Sequence, residues 1–395
     1  MDGVARVTEG EGSQEFSTGE NPPGESDHPQ MAPTYPQVGG SGPAGDGGDV
    51  SRETAVSEEQ VSRETDEQSS PTLVRARDLS EVTPSLADPY GDEPTPLARA
   101  AEHMLLARQG ARLRPALARP EATRILVVAN QKGGVGKTTS TVNVAAALAQ
   151  LGQRVLVVDL DPQGNASTAL AVPHHRGIPS TYDLLVEGAG LADVITTCPD
   201  VEHLSVVPAT IDLAGAEIEL VSVVAREQRL HKALHGDPRI STEPVERAGE
   251  DRFDFVFIDC PPSLGLLTIN ALVAGQEMMI PIQAEYYALE GLGQLLATVD
   301  MVRAHLNPDL AISAILVTMY DARTRLAAGV AEEVRAHFGD QVLRTYIPRS
   351  VRVSEAPSYS QTVMTYDPGS PGAMSYLDAA KELAENGLRP QEGTQ

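Results

Sequence analysis

The chain has 395 residues, 41% of them hydrophobic, enough for one large folded unit or two ordinary ones with tails. Its formal charge of −25, from 55 acidic against 30 basic residues, argues against a surface that coats nucleic acid uniformly, while leaving local basic patches open. With two cysteines, no apolar run of the ~18–20 residues that cross a bilayer and no basic, apolar leader, the expectation is a cytoplasmic protein without a disulfide framework or a membrane span.

Residues 1–93 are rich in Gly, Pro, Ser, Glu and Asp and show almost no apolar periodicity; the first hundred residues hold 20 acids against six arginines. Too little apolar surface is available to offset chain entropy, so a long disordered acidic extension is expected, inside which VSRET occurs twice, at Val50–Thr54 and Val61–Thr65. Residues 94–121 read as an amphipathic helix and linker, with Leu97, Ala101, Met104 and Leu105 on one face and Arg99, Arg108 and Arg112 largely elsewhere. From 122 to 390 the texture changes. RILVVAN, RVLVVDL, HLSVVPA, DFVFID, EMMIPIQ and AISAILVTM are short β-rich apolar runs, and they alternate with helical stretches such as 137–151, 212–235, 286–305 and 326–338. Strands with so few polar breaks are covered on both faces, which predicts an α/β fold built on a doubly wound, mostly parallel sheet.

NQKGGVGKTT follows the first strand and opens a helix, the context a phosphate-binding loop requires. Gly133, Gly134 and Gly136 let backbone N–H groups turn toward a phosphate at the positive end of the helix. Lys137 is placed to hold the β- and γ-phosphates of ATP, and the Thr138 hydroxyl to bind Mg²⁺. Asp259 ends DFVFID, at the carboxyl end of a buried strand, where a carboxylate can hold the hydration shell of that ion. VVDLDPQGNAS supplies Asp159 and Asp161, either of which could orient or deprotonate an attacking water, although Asp-Pro and Gly-Asn are also plain turn formers. Lys132 is the surplus group. Only four lysines occur in the chain, at 132, 137, 232 and 381, and two of them share this loop.

KGGVGKTT, DLDPQGN and FIDCPPS, in this order, resemble the ParA family of bacterial partition ATPases, within the deviant Walker-A group of P-loop NTPase-like proteins. The likeness continues through PATIDLAGAEIEL, PIQAEYYALEGLGQL, MYDART and IPRSVRVSEAPSYSQTVMTYDPGSPGA, and so spans about residues 123–387. It implies that Lys132 reaches the nucleotide of a partner subunit in an ATP-dependent homodimer, with Gly133 small enough to let the subunits approach. It further implies that Val135, Thr139 and Pro348 belong with Lys132, Gly133, Gly134, Gly136, Lys137 and Thr138 to the ATP site. Asp161 is assigned to water activation, and Asp159 to the metal site with Thr138 and Asp259. Arg323 and Arg352 match DNA-contacting positions, and Arg349 is a neighbour. The implied function is chromosome partition: the dimer binds nucleoid DNA without sequence preference, and a ParB-type centromere-binding protein triggers slow hydrolysis and release.

Six arginines (323, 325, 335, 344, 349, 352) against four acids lie between Val317 and Arg352, and ion pairs with Glu332, Glu333 or Asp340 are the ordinary alternative to DNA contact. Three rival functions share the core. A MinD-like division-site ATPase needs a basic amphipathic C-terminal helix, which ENGLRPQEGTQ does not supply. A metabolic ligase or amidase needs its own substrate pocket and leaves the arginines unexplained. A nitrogenase-reductase-like carrier needs cluster-ligating cysteines that Cys198 and Cys260 do not provide.

Overall fold

The computed structural model describes residues 116–286 and 292–386. The expected acidic extension, most of the 94–121 segment and the chain beyond Asn386 lie outside the described residues. All six apolar runs are strands: β1 (Arg124–Val128), β2 (Val155–Asp159), β4 (Leu204–Val207), β5 (Phe255–Asp259), β6 (Glu277–Gln283) and β7 (Ala311–Thr318). The sequence pattern missed β3 (Thr196–Thr197), a two-residue edge strand too short to carry a period. The order is β3-β4-β2-β5-β1-β6-β7, parallel throughout except for the β3–β4 edge. The expected doubly wound, mostly parallel sheet is therefore what forms.

Successive strand residues feed opposite cores. Leu126, Val128, Val157, Phe255 and Phe257 pack against α1 (Lys137–Gln150) and a C-terminal helix, while Ile125, Val127, Val158, Val256 and Ile258 face the other helical layer. That second layer includes α2 (Leu266–Ala274), α3 (Leu292–His305) and α4 (Arg325–Phe338); the C-terminal helix is α5 (Pro371–Asn386). The run of alanines in α1 keeps its profile thin, so that it lies between sheet and α5 with nearly every residue buried. The predicted helix over 212–235 is broken instead. Val223 is extended and Ala225 is left-handed at φ 53°, within a stretch of β-branched valines that favour helix weakly. Asn270 stabilises the break from α2, donating from Nδ2 to Arg226 O (2.9 Å) and accepting the Leu230 N–H (3.2 Å).

At the amino ends of the strands, an ion cluster centred on the fully buried Arg252–Asp254 pair ties the entry segment to the sheet. Arg252 donates to Pro120 O, Glu121 O and Glu243 O, and pairs with Asp254 Oδ1 at 3.0 Å. Asp254 also receives Arg119 Nε (2.8 Å) and the Arg154 N–H (2.9 Å). Removing one member of a buried pair leaves the other charge uncompensated, so Asp254→Ala is expected to lose about 3–5 kcal/mol of stability in chemical denaturation.

Candidate nucleotide-binding site

The chain leaves β1 to build one half of the sheet and crosses over after β5 to build β6 and β7, so the carboxyl end of β1 is the switch point where ligands bind in open α/β sheets. The predicted loop lies there. Gly134 (φ 75°) and Gly136 (φ 87°, the N-cap of α1) are left-handed, a conformation strained for any side chain. No side chain caps α1, and the N–H groups of its first turn have no preceding carbonyl to pair with. Val135 is buried and its carbonyl accepts the Thr318 hydroxyl of β7 (2.8 Å); the Thr139 carbonyl accepts Asn143 Nδ2 (2.7 Å). Pro348 bridges to Tyr320 just past β7, on the same edge.

Lys137 is buried, with Nζ 3.5 Å from Lys132 O. Burial pushes its pKa down, against the opposing pull of the Asp259 carboxylate. Asp259 is register partner both to Val128, the last residue of β1, and to Asp159 on β2. Thr141 Oγ1, one turn beyond Lys137, donates to Asp259 Oδ1 at 2.9 Å; Oδ2 is buried with no hydrogen-bond partner. Burial and the neighbouring Asp159 raise the Asp259 carboxyl to about 7, partly countered by the Thr138 and Thr141 hydroxyls.

Asp159 is occupied differently. Its Oδ2 accepts the Ser167 N–H (2.9 Å) and hydroxyl (2.7 Å), its Oδ1 accepts the Asp161 N–H (3.2 Å), and burial raises it to about 6. Through these bonds it holds the turn that carries Asp161, whose Oδ1 accepts the Gln163 N–H at 3.0 Å. Ser167 and Thr141 are functional supports that the sequence reading did not single out. Thr141 had a signal, since it lies four residues after Lys137 and so on the same helix face.

The donor set suits Mg²⁺, which takes one or two protein oxygens and keeps waters and phosphates for the rest. Asp259 Oδ2 lacks a partner, the Thr138 hydroxyl is beside it, and no group of three or more His, Cys, Asp or Glu able to hold an ion occurs among the described residues.

Lys132 turns away from this centre. Its Nζ is 3.3 Å from Glu285 Oε2, just beyond β6. A Cβ on Gly133 would meet nothing within 4 Å. The three arginines are each tied to carboxylates: Arg323 to Asp321 (2.8 Å), Arg352 to Glu355 (3.2 Å) and Asp367 (3.4 Å), Arg349 to Glu285 (3.8 Å). These are ion pairs, though not with Glu332, Glu333 or Asp340. Both cysteines are free and buried.

Residues 123–312 match the AAA domain family model. The sporulation initiation inhibitor protein Soj of Bacillus subtilis is 53% identical over 264 residues, 67% of this chain and 99% of that protein. The chain belongs to the ParA/Soj family of chromosome-partitioning ATPases. The chromosome partitioning protein ParA of Myxococcus xanthus is 46% identical, across 66% of this chain and 87% of its own length. Among solved structures, cobyrinic acid a,c-diamide synthase from Mycobacterium smegmatis, with bound ADP and magnesium, is 37% identical with a TM-score of 0.54, across 66% of this chain and 93% of that one. No helix among the described residues of this ParA/Soj protein is long and apolar enough to cross a membrane.

Because Asp159 and Asp259 have raised pKa values, the stability they lend is present at low pH and lost as pH rises through about 6 to 7. Asp259→Asn keeps the shape and removes the ionisation. Without nucleotide it is expected to melt above the parent at about pH 8, and to vary less with pH between about 5 and 8. The variant should also lose the rise in Tm that ATP and Mg²⁺ give the parent. Thermal melts at both pH values check this, and a variant that keeps the full ATP–Mg²⁺ shift counts against Asp259 at the metal.

Proposed function

We propose that this protein is an ATP-hydrolysing chromosome-partition switch, with residues 122–390 as its ATPase unit. The observation that carries this reading is the division of labour between the two loop lysines. Lys137 lies buried beside Asp259, in position for the phosphates of its own subunit, whereas Lys132 is partly exposed and held only by an exchangeable ion pair with Glu285, from which it can serve a second one. Gly133 supports the same reading: its φ is not left-handed and a Cβ has open space, so nothing among the described residues requires glycine there, whereas an approaching subunit would.

ATP binds with its phosphates on the Lys132–Thr139 loop, contacting Gly133, Gly134, Val135, Gly136, Lys137, Thr138 and Thr139, with Pro348 nearby on the nucleotide side. Mg²⁺, held by Thr138 and Asp259 with Asp159 supporting, supplies charge neutralisation at the phosphate oxygens. Lys132 delivers a further cation to the triphosphate of the partner subunit, which makes ATP the adhesive of a two-fold homodimer. Asp161, presented by the turn that Asp159 holds, orients or deprotonates the attacking water. The loops offer no evident arginine finger, which fits slow intrinsic turnover awaiting a ParB-type stimulator.

Dimerisation doubles the set formed by Arg323, Arg349 and Arg352, and non-specific DNA affinity rises steeply with the number of phosphates neutralised. In this reading the dimer associates with nucleoid DNA, in the cytoplasm, when ATP is bound. The M. smegmatis structure favours ATP-dependent amidation as a second reading. The higher identity of the Soj and ParA relatives supports partition over it.

Sedimentation with ATP is expected to show a dimer that Lys132→Ala abolishes and that Asp161→Ala traps. A Lys132→Ala protein that still dimerises normally sinks the trans role. Turnover should rise when DNA and the ParB-type protein are added together. Arg323→Glu with Arg352→Glu should lower DNA affinity by about tenfold or more at fixed salt, and an unchanged affinity rejects the arginine surface.

A further inference from the structure

Glu285 has no role in the function described so far, yet it lies between two groups that do. Strands β1, β6 and β7 are neighbours in that order, and the chain just beyond their carboxyl ends presents Lys132, Glu285 and the Tyr320 turn. Arg349 is fixed against that turn by its N–H bond to Tyr320 O (3.2 Å). The result is a row of cation, carboxylate and cation. Lys132 Nζ meets Glu285 Oε2 at 3.3 Å, and Arg349 Nη2 meets Oε1 at 3.8 Å. Gln283 Nε2 donates to Oε1 at 2.5 Å and aims the carboxylate. The loop itself is strapped to the same side: Asn130 Nδ2 donates to Pro281 O of β6 (2.8 Å), and Gln131 Nε2 to Gln294 Oε1 of α3 (2.7 Å).

We propose that Glu285 is a positioning residue, the resident counter-ion that holds Lys132 on its own subunit until a triphosphate displaces it, and that it restrains Arg349 by the same contact. The proposal rests on the trans role of Lys132 given above. All three side chains are partly exposed, so each pair is weak and exchangeable, as a part that must let go requires. The two cations compete for one carboxylate. Glu285 therefore acts as a brake on both steps.

The test is Glu285→Gln in the full chain. The ATP concentration for half-maximal dimerisation, read by sedimentation, should fall about two- to five-fold at low salt and the difference should shrink at high salt. In nucleotide-free protein, DNA affinity should rise and its log–log salt slope steepen by about 0.9, the signature of one added phosphate contact. Adding Arg349→Gln should erase the DNA gain and keep the ATP gain, an outcome that a merely structural role for Glu285 does not produce. If Glu285→Gln does not fold, Glu285→Asp carries the same test with a smaller shift. An ATP requirement that is unchanged or raised, in a protein whose Lys132→Ala form fails to dimerise, overturns the proposal and leaves the trans role standing. Normal dimerisation of Lys132→Ala overturns both.

Discussion

Two buried charges of opposite sign at the carboxyl edge of the sheet set the terms for this molecule. Lys137 and Asp259 come from α1 and β5, and the parallel pairing of β1 with β5 brings them together. Burial works against both charges: it pushes the ammonium down and the carboxyl up. The Asp259 carboxylate pulls the Lys137 ammonium back toward its charged form, and Asp259 Oδ2 itself has no partner. A site with a buried lysine, an underused carboxylate and unpaired N–H groups at a helix start is stabilised by a ligand that brings phosphates and a cation at once. Preference for the complex over either component is thus built into the desolvation of two side chains.

The second tier of charge obeys a different economy. Arg323, Arg349 and Arg352 stand on an acidic chain, and each has a carboxylate within ion-pair distance, which Arg349 shares with Lys132. Exposed pairs of this kind contribute little and are screened by salt. Each pair holds its arginine loosely, and together they lower the field of a single subunit. Binding that depends on several such exchanges in parallel is steep in the number of subunits engaged. Under the proposed function, this makes dimerisation an effective control point.

How much of this the sequence shows depends on where the signal resides. The six main strands are legible because covering both faces demands unbroken runs such as VLVVD and FVFID. The loop is legible because strand, glycine spacing and helix constrain one another. The break in 212–235 is not, because Asn270, far away in the chain, decides it by satisfying the Arg226 carbonyl and the Leu230 N–H. Asp254 and Arg252 look like ordinary surface residues in GEDRFDFVF, and only the fold shows both fully buried. Asp159 and Asp161 read as interchangeable acids. Their difference lies in Ser167, whose two bonds occupy one while the other stays at the rim of the site. Glu285 carries no local signal, since its meaning comes from the adjacency of β1, β6 and β7.

That adjacency also bears on the choice of lysine at position 132 in a chain that uses arginine for all but four of its basic residues. A guanidinium facing Glu285 would present a planar fork and tend toward a bidentate pair, the more persistent geometry. Arg323 does this with Asp321, through Nε and Nη2 at 2.9 and 2.8 Å, and holds that carboxyl down at about 2. An ammonium offers a compact charge on a flexible stem, and here it touches one oxygen at 3.3 Å. It can leave a carboxylate for a phosphate without breaking two parallel bonds at once. The same compactness suits the proposed role at the phosphates of a second subunit. The proposed trans role asks a group to hold weakly on one side and neutralise strongly on the other, which lysine meets and arginine does not.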